Sequence, residues 1–232
     1  MTGVVIVGAG PGLGRSIGRR FAKEGVPVAL LTRRQETADV LADEIRSYGV
    51  QTLAYAVDIT DEPALARVLG DVVDRQGIPD AVIYNAALIR PDTPGALSAR
   101  GHLDAWAVNV VGALSTAAQL LPLMAARGSG SFVVTGGMPQ PVAAYTSLSL
   151  GKAGVRALVE MLDEHYGPAG VHAATVTVFG DIAPGTAFDP DEIAQHYWDL
   201  HQQPVGEWQL EVEHTGTAEH ALSTESAGRA DS

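Results

Sequence analysis

The run Val7-Gly8-Ala9-Gly10-Pro11-Gly12-Leu13-Gly14 follows a short apolar stretch and precedes a segment with helical spacing. Gly8, Gly12 and Gly14 fit the spacing GxxxGxG, whereas GxGxxG started at Gly8 fails because Leu13 holds its last place. Glycines in such a turn permit positive φ and let the main chain approach a pyrophosphate closely. The helix that opens at Leu13 and Gly14 offers free N–H groups and a partial positive charge to phosphate. After the second apolar run comes Thr32-Arg33-Arg34. An acidic residue at that place would accept from ribose hydroxyls and favour NAD; a guanidinium instead suits a 2′-phosphate, so NADP is expected in preference to NAD. Asp58, followed by Ile59, ends the third run, placed to cap a turn or touch an adenine.

These residues need a scaffold, and the apolar pattern supplies one. Six runs read as strands: Gly3–Gly8, Pro27–Thr32, Gln51–Asp58, Asp80–Asn85, Ser131–Thr135 and Val171–Phe179. Each is nearly continuously apolar, as strands covered on both faces are. Helical spacing occupies Arg15–Lys23, Glu36–Tyr48, Pro63–Gln76, Asp104–Ala126, about Thr146–Tyr166, and Asp189–His201 with its acidic first turn. Ile89–Gly101 and Gly180–Thr186 read as loops, and Glu207–His214 as a last strand. The alternation predicts an α/β fold, a Rossmann-type doubly wound parallel sheet in three layers. One domain is expected over 1–214, with a disordered tail at 215–232.

Composition narrows the partners. The 232 residues carry 15 Lys plus Arg against 27 Asp plus Glu, a formal charge of −12, which argues against nucleic acid and anionic membranes. With no cysteine there is no disulfide, thiolate metal site or cysteine nucleophile. No apolar run reaches eighteen residues and no leader is visible, so a cytoplasmic protein without a membrane span is expected. His196 and His201 are wrongly spaced on a helix to share a metal, and none is expected.

Together these residues resemble the short-chain dehydrogenase/reductase family over roughly 3–186. The glycine turn lacks only the family's leading Thr. Asp58 matches its acidic residue after strand three, Tyr84-Asn85-Ala86-Ala87 its NNAG segment, and Asn109 its helix Asn. Lys152, one of only two lysines in the chain, matches the Lys of its Tyr-x-x-x-Lys set, but the Tyr position is Leu148. Tyr145 stands seven residues before Lys152, about 10 Å along a helix axis, and reaches it only if the preceding chain folds back. Thirteen residues before Leu148 is Thr135, while the end of strand five puts Gly136 or Gly137 at the family's Ser position.

The resemblance implies that Lys152 binds the nicotinamide ribose, Asn109 holds a water, and Thr135 or Tyr145 supplies hydroxyl chemistry. It also implies that Ile182 meets the carboxamide and that 183–208 forms a substrate lid. It implies hydride transfer between the nicotinamide and a small or medium organic substrate. Two alternatives stay open: a sensor or scaffold that binds NADP without turnover, and a non-redox cyclase or isomerase. The family's habit of pairing its two long helices implies a homodimer or homotetramer, and the small and apolar residues of Asp104–Ala126 and Thr146–Tyr166 agree with it.

Overall fold

The computed structural model describes residues 2–216, so all but the first two residues of the expected tail at 215–232 lie outside the described residues. Seven strands form one sheet: β1 (Val4–Val7), β2 (Val28–Thr32), β3 (Thr52–Ala56), β4 (Ala81–Tyr84), β5 (Gly130–Thr135), β6 (Val171–Val178) and β7 (Glu211–His214). Their order is β3-β2-β1-β4-β5-β6-β7, and every pairing is parallel. The order reverses beside β1, the place where ligands bind a doubly wound sheet at the carboxyl ends of its strands.

Continuously apolar strands are explained by a core on each face. Val5 and Val7 point to one core, shared with Leu65 and Leu69 of α3 (Glu62–Gln76), Leu120 of α5 (Gly112–Arg127) and Val155 of α6 (Thr146–Tyr166). Val4 and Ile6 point to the other, shared with Phe21 of α1 (Leu13–Lys23), Leu41 of α2 (Gln35–Arg46) and Tyr197 of α7 (Pro190–Gln202). The pleat's period of two divides each strand between the layers.

One departure concerns the longest helix. The helical path begins at α4 (Ala99–Trp106), five residues before the expected start. Ser98 caps it, its hydroxyl oxygen accepting from the Gly101 N–H, so the end of the expected loop is helical. A π-turn at Ala107–Val111 joins α4 to α5. The freed Val108 carbonyl accepts a hydrogen bond from the buried Tyr84 hydroxyl. Among the described residues this path, Ala99–Arg127, is the one helix long and apolar enough to cross a membrane, yet 56% of its most apolar window is buried in the fold. α6 lies close against it: a Cβ on Gly151 would stand 2.7 Å from Asn109 Cβ, and one on Gly154 would stand 2.8 Å from the Trp106 ring.

The expected lid at 183–208 is corrected in large part. Ile193, Ala194, Tyr197 and Leu200 of α7 are buried in the core that α1 shares, because the apolar face of α7 packs under the sheet rather than over the cleft. Trp198 sits edge-on to Phe21 beneath the Arg20 guanidinium, and Trp208 stacks on His172.

Candidate active site

The main cavity, about 1160 Å³, opens at the carboxyl ends of β1, β2, β4 and β5. Its floor is the glycine turn. Gly8 has φ +83°, and a Cβ there would stand 2.4 Å from the Ala86 nitrogen, so β1 and the turn after β4 meet too closely for any side chain. Asn85 fixes that meeting by donating from Nδ2 to the Gly8 carbonyl at 3.0 Å. A Cβ on Gly14 would stand 2.8 Å from Ala9 Cα, which explains the glycine required where α1 leaves the sheet. Gly10 and Gly12 face open space instead. No side chain caps α1 at Gly12, so its first N–H groups, at Leu13 and Gly14, remain available. An uncapped helix start beside an open glycine cradle fits a pyrophosphate.

Beyond the turn, Thr32, Arg33, Arg34, Asp58 and Ile59 line the same cavity, as do Thr37 and Thr60, which lie outside the expected set. Arg33 and Arg34 are exposed, with their heads free of ion pairs to described residues. The Thr32 hydroxyl is used locally, donating to the Arg34 carbonyl at 2.7 Å and shaping the β2–α2 turn. Asp58 accepts from the Thr60 N–H and hydroxyl through one oxygen. Those bonds, with Arg33 nearby, hold its carboxyl below the usual carboxylate range.

At the other end, Tyr145, Leu148 and Lys152 line the cavity together, along with Ala86 and Ile182. The chain before α6 is tied to the helix's first turn, the Val142 N–H donating to the Ser149 hydroxyl at 3.0 Å. Asp92, 5% exposed, accepts from the Ser147 N–H and hydroxyl through its carboxylate. Its main chain pairs with Ala144 and Thr146, and this bridge sets Tyr145 at the mouth of the helix. Lys152 Nζ donates to the Thr135 carbonyl at 2.6 Å. Burial, with the Arg156 cation adding repulsion, lowers the ammonium from its ordinary 10.5 to about 8.

Two expected residues are used differently. The Thr135 hydroxyl donates to Asn85 Oδ1 at 2.8 Å and lies 2.7 Å from the Tyr197 hydroxyl. That is the α7 side of the sheet, opposite Lys152, because Thr135 shares Val133's face by the period of two. Thr135 still lines the cavity, but its hydroxyl, expected to serve the chemistry, is engaged by Asn85 and Tyr197. Asn109 is buried, its Oδ1 accepting from the Leu88 N–H at 2.7 Å and its Nδ2 reaching the Leu88 carbonyl at 3.4 Å. It ties the loop after β4 to the π-turn, so the expected water-holding amide is already engaged by main chain. Ser149 is likewise taken up, by Val142. Among the described residues no cluster of three metal-ligating side chains occurs.

Sequence spacing misses three participants. Arg156 donates to the Gly137 carbonyl at 3.0 Å and toward the Met138 carbonyl at 3.4 Å. Met138, at φ +48°, is the one non-glycine with positive φ among the described residues, and it lines the cavity. Asp92 lies in a Pro-rich loop that carries no periodic signal. The Gly136-Gly137 pair after β5 is the one hint in the sequence that the chain turns unusually there.

The model of the short chain dehydrogenase family matches residues 2–186. A Mycobacterium tuberculosis protein described as an uncharacterized oxidoreductase is 32% identical over 130 residues, covering 56% of this chain and 49% of that one. This chain thus spans about half of that relative's length. A short-chain dehydrogenase/reductase of Hericium erinaceus is 28% identical over 202 residues, 83% of this chain and 77% of that one. Among solved structures, a metagenomic short-chain oxidoreductase in complex with NADP superposes with a TM-score of 0.83 at 24% identity, over 91% of this chain and 95% of that one. With its glycine turn, its Asn85 and Lys152, and a family match over most of its length, the chain belongs to the short-chain dehydrogenase family of oxidoreductases.

Proposed function

We propose that this protein is an NADP(H)-dependent oxidoreductase acting on a small or medium organic carbonyl compound, with Tyr145 as its proton donor in place of a residue at 148. The observation that carries this is one cavity lined by the glycine turn, Arg33 and Arg34 at one end and by Tyr145 and Lys152 at the other. The NADP complex of the metagenomic neighbour agrees with the cofactor choice. Gly10, Gly12 and the N–H groups of Leu13 and Gly14 would hold the pyrophosphate, Arg33 and Arg34 the 2′-phosphate, and Asp58 the adenine edge. Lys152 would hold the nicotinamide ribose and Ile182 the carboxamide. When bound, the cofactor supplies hydride chemistry. Tyr145 then gives a proton from its hydroxyl to the substrate oxygen, and the Lys152 ammonium stabilises the negative charge left behind. Leu148 presents an apolar wall where the family carries its phenol.

The test is NADPH and NADH binding by fluorescence, followed by turnover against a panel of ketones, aldehydes and imines. Tight NADPH binding with multiple turnovers on one panel member is expected. Tight binding with no turnover would favour a sensor that holds NADP, and a product without a two-hydrogen mass change would favour a non-redox enzyme. Failure to bind NADPH would refute the cofactor assignment.

A further inference from the structure

Reduction of a carbonyl needs a hydrogen-bond donor on the oxygen besides the group that protonates it, and the side chains of β5 cannot supply one. The Thr135 hydroxyl is engaged on the opposite face of the sheet by Asn85 and Tyr197. At Gly136 any Cβ would stand 2.3 Å from Thr177 Oγ1 and 3.1 Å from Thr177 Cα, so the fold excludes a serine there without displacing β6. Gly137 has room around it but sits at φ +141°, a conformation that side-chain-bearing residues rarely adopt.

The main chain offers what the side chains do not. The Gly136 N–H is used by the Val176 carbonyl at 2.8 Å, whereas the N–H groups of Gly137 and Met138 find no acceptor among the described residues. Both residues line the cavity with Lys152 and Tyr145. A Cβ built on Gly137 would be 3.9 Å from Lys152 Cε, which places this turn against the lysine. Two cations of α6 hold it: Lys152 on the Thr135 carbonyl, and Arg156 on the carbonyls of Gly137 and Met138. A peptide unit is planar and trans, so its C=O and N–H point in opposite directions. With the Gly137 carbonyl turned to Arg156, the Met138 N–H is directed away from that guanidinium. Positive φ at Met138 is a costly conformation that persists only where surrounding structure enforces it, and such residues concentrate at functional sites.

We propose that the main-chain N–H groups of Gly137 and Met138, the latter aimed by Arg156, polarise the substrate carbonyl oxygen in place of a side-chain hydroxyl. The proposal rests on the oxidoreductase function proposed above. In the reductive direction the carbonyl carbon gains a hydride, with its electron pair, from the reduced cofactor as the C=O π bond breaks. The hydride's pair forms the new C–H bond, the oxygen keeps the π pair and takes the Tyr145 proton, and the two N–H groups bear the charge that grows on the oxygen before the proton arrives. Preorganised main-chain donors of this kind act where charge develops and need no reorganisation. Arg156 is a positioning residue that touches no reacting atom.

The test is ¹H–¹⁵N NMR of the full chain saturated with NADP, titrated with cyclohexanone, a ketone that the oxidised cofactor cannot reduce. Shifts of the Gly10 and Gly12 amides on adding NADP report the cofactor site independently. The expected result is a saturable downfield shift of the Gly137 and Met138 amide protons on adding cyclohexanone. That shift should be lost in Arg156→Met and kept in Arg156→Lys. Movement of Tyr145 and Leu148 resonances while the Gly137 and Met138 amides stay fixed would overturn the proposal and leave the oxidoreductase function standing. If no cavity resonance responds to the ketone, the carbonyl-substrate reading fails and takes the proposal with it. A shift that persists in Arg156→Met would overturn the positioning role, and this arm is read only after the wild-type titration, which stands alone if the variant misfolds.

Discussion

Replacing Lys152 with Met should stabilise the cofactor-free protein while abolishing its function, and the stabilisation should fade as pH rises. The fold holds the Lys152 ammonium near 8 rather than 10.5. At about 1.4 kcal/mol per pH unit, a charged lysine at that place costs the native state about 3 kcal/mol at neutral pH. Methionine is of similar length and carries no charge, but it gives up the charged hydrogen bond to the Thr135 carbonyl, worth roughly 1.5–3 kcal/mol. The variant should therefore be more stable by up to about 1.5 kcal/mol at pH 7. The sign with pH follows from linkage. Between about 8 and 10.5 the unfolded lysine stays protonated while the native one loses its proton, so wild-type stability from this group rises with pH. Lys152→Met lacks that rise, and its advantage should vanish and reverse across the same window. Urea melts of both proteins from pH 7 to 10.5 isolate the effect, since other titrating groups cancel in the difference. A stability difference that stays constant over that range would refute the buried-charge argument.

Four further outcomes are expected. Tyr145→Phe should lower turnover by about 10²–10⁴-fold with NADPH affinity unchanged, as fluorescence titration would show; wild-type turnover in the variant would remove Tyr145 as proton donor. Arg33→Ala should weaken NADPH far more than NADH, and equal losses for the two would refute the 2′-phosphate contact. Gly136→Ser should destabilise the fold by about 1–3 kcal/mol in denaturant melts, because its Cβ would meet Thr177, and should not raise activity. Light scattering should find a homodimer or homotetramer, weakened by Leu114→Glu and Met161→Glu, since Trp106, Leu114, Leu150 and Met161 are exposed on the long helices; a clean monomer would refute the pairing.

The sheet and its order of elements are legible in the sequence because strands buried on both faces leave unbroken apolar runs, as Val4–Val7 and Val28–Thr32 do. The cofactor end of the site is legible for a related reason: Gly8 and Gly14 are forced by contacts under 3 Å, so the chain has no other residue to put there. The chemical end is much less so. Whether Tyr145 reaches the cavity depends on Asp92, fifty-three residues earlier and in a loop, where neither period nor composition marks it. Thr135 is misplaced by counting because strand pleat, not distance along the chain, decides which face a hydroxyl takes. The lid expectation fails similarly at Tyr197: its helix is amphipathic, but nothing local says that its apolar side meets α1 rather than a substrate.

The close approach at Gly151 and Gly154 has a practical consequence for anyone hardening this protein against heat. Exchanging a mid-helix glycine for alanine ordinarily gains up to about 1 kcal/mol, and α6 offers two such positions in its 21 residues. Here the added methyl would press on Asn109 or on Trp106 and push α6 outward, carrying Lys152 and Tyr145 with it. Thermostability gained at those positions would be drawn directly from alignment of the cavity's lining, so α6 is a helix to leave alone, and safer gains lie at exposed positions such as Gly70 in α3, where an added Cβ meets nothing within 4 Å.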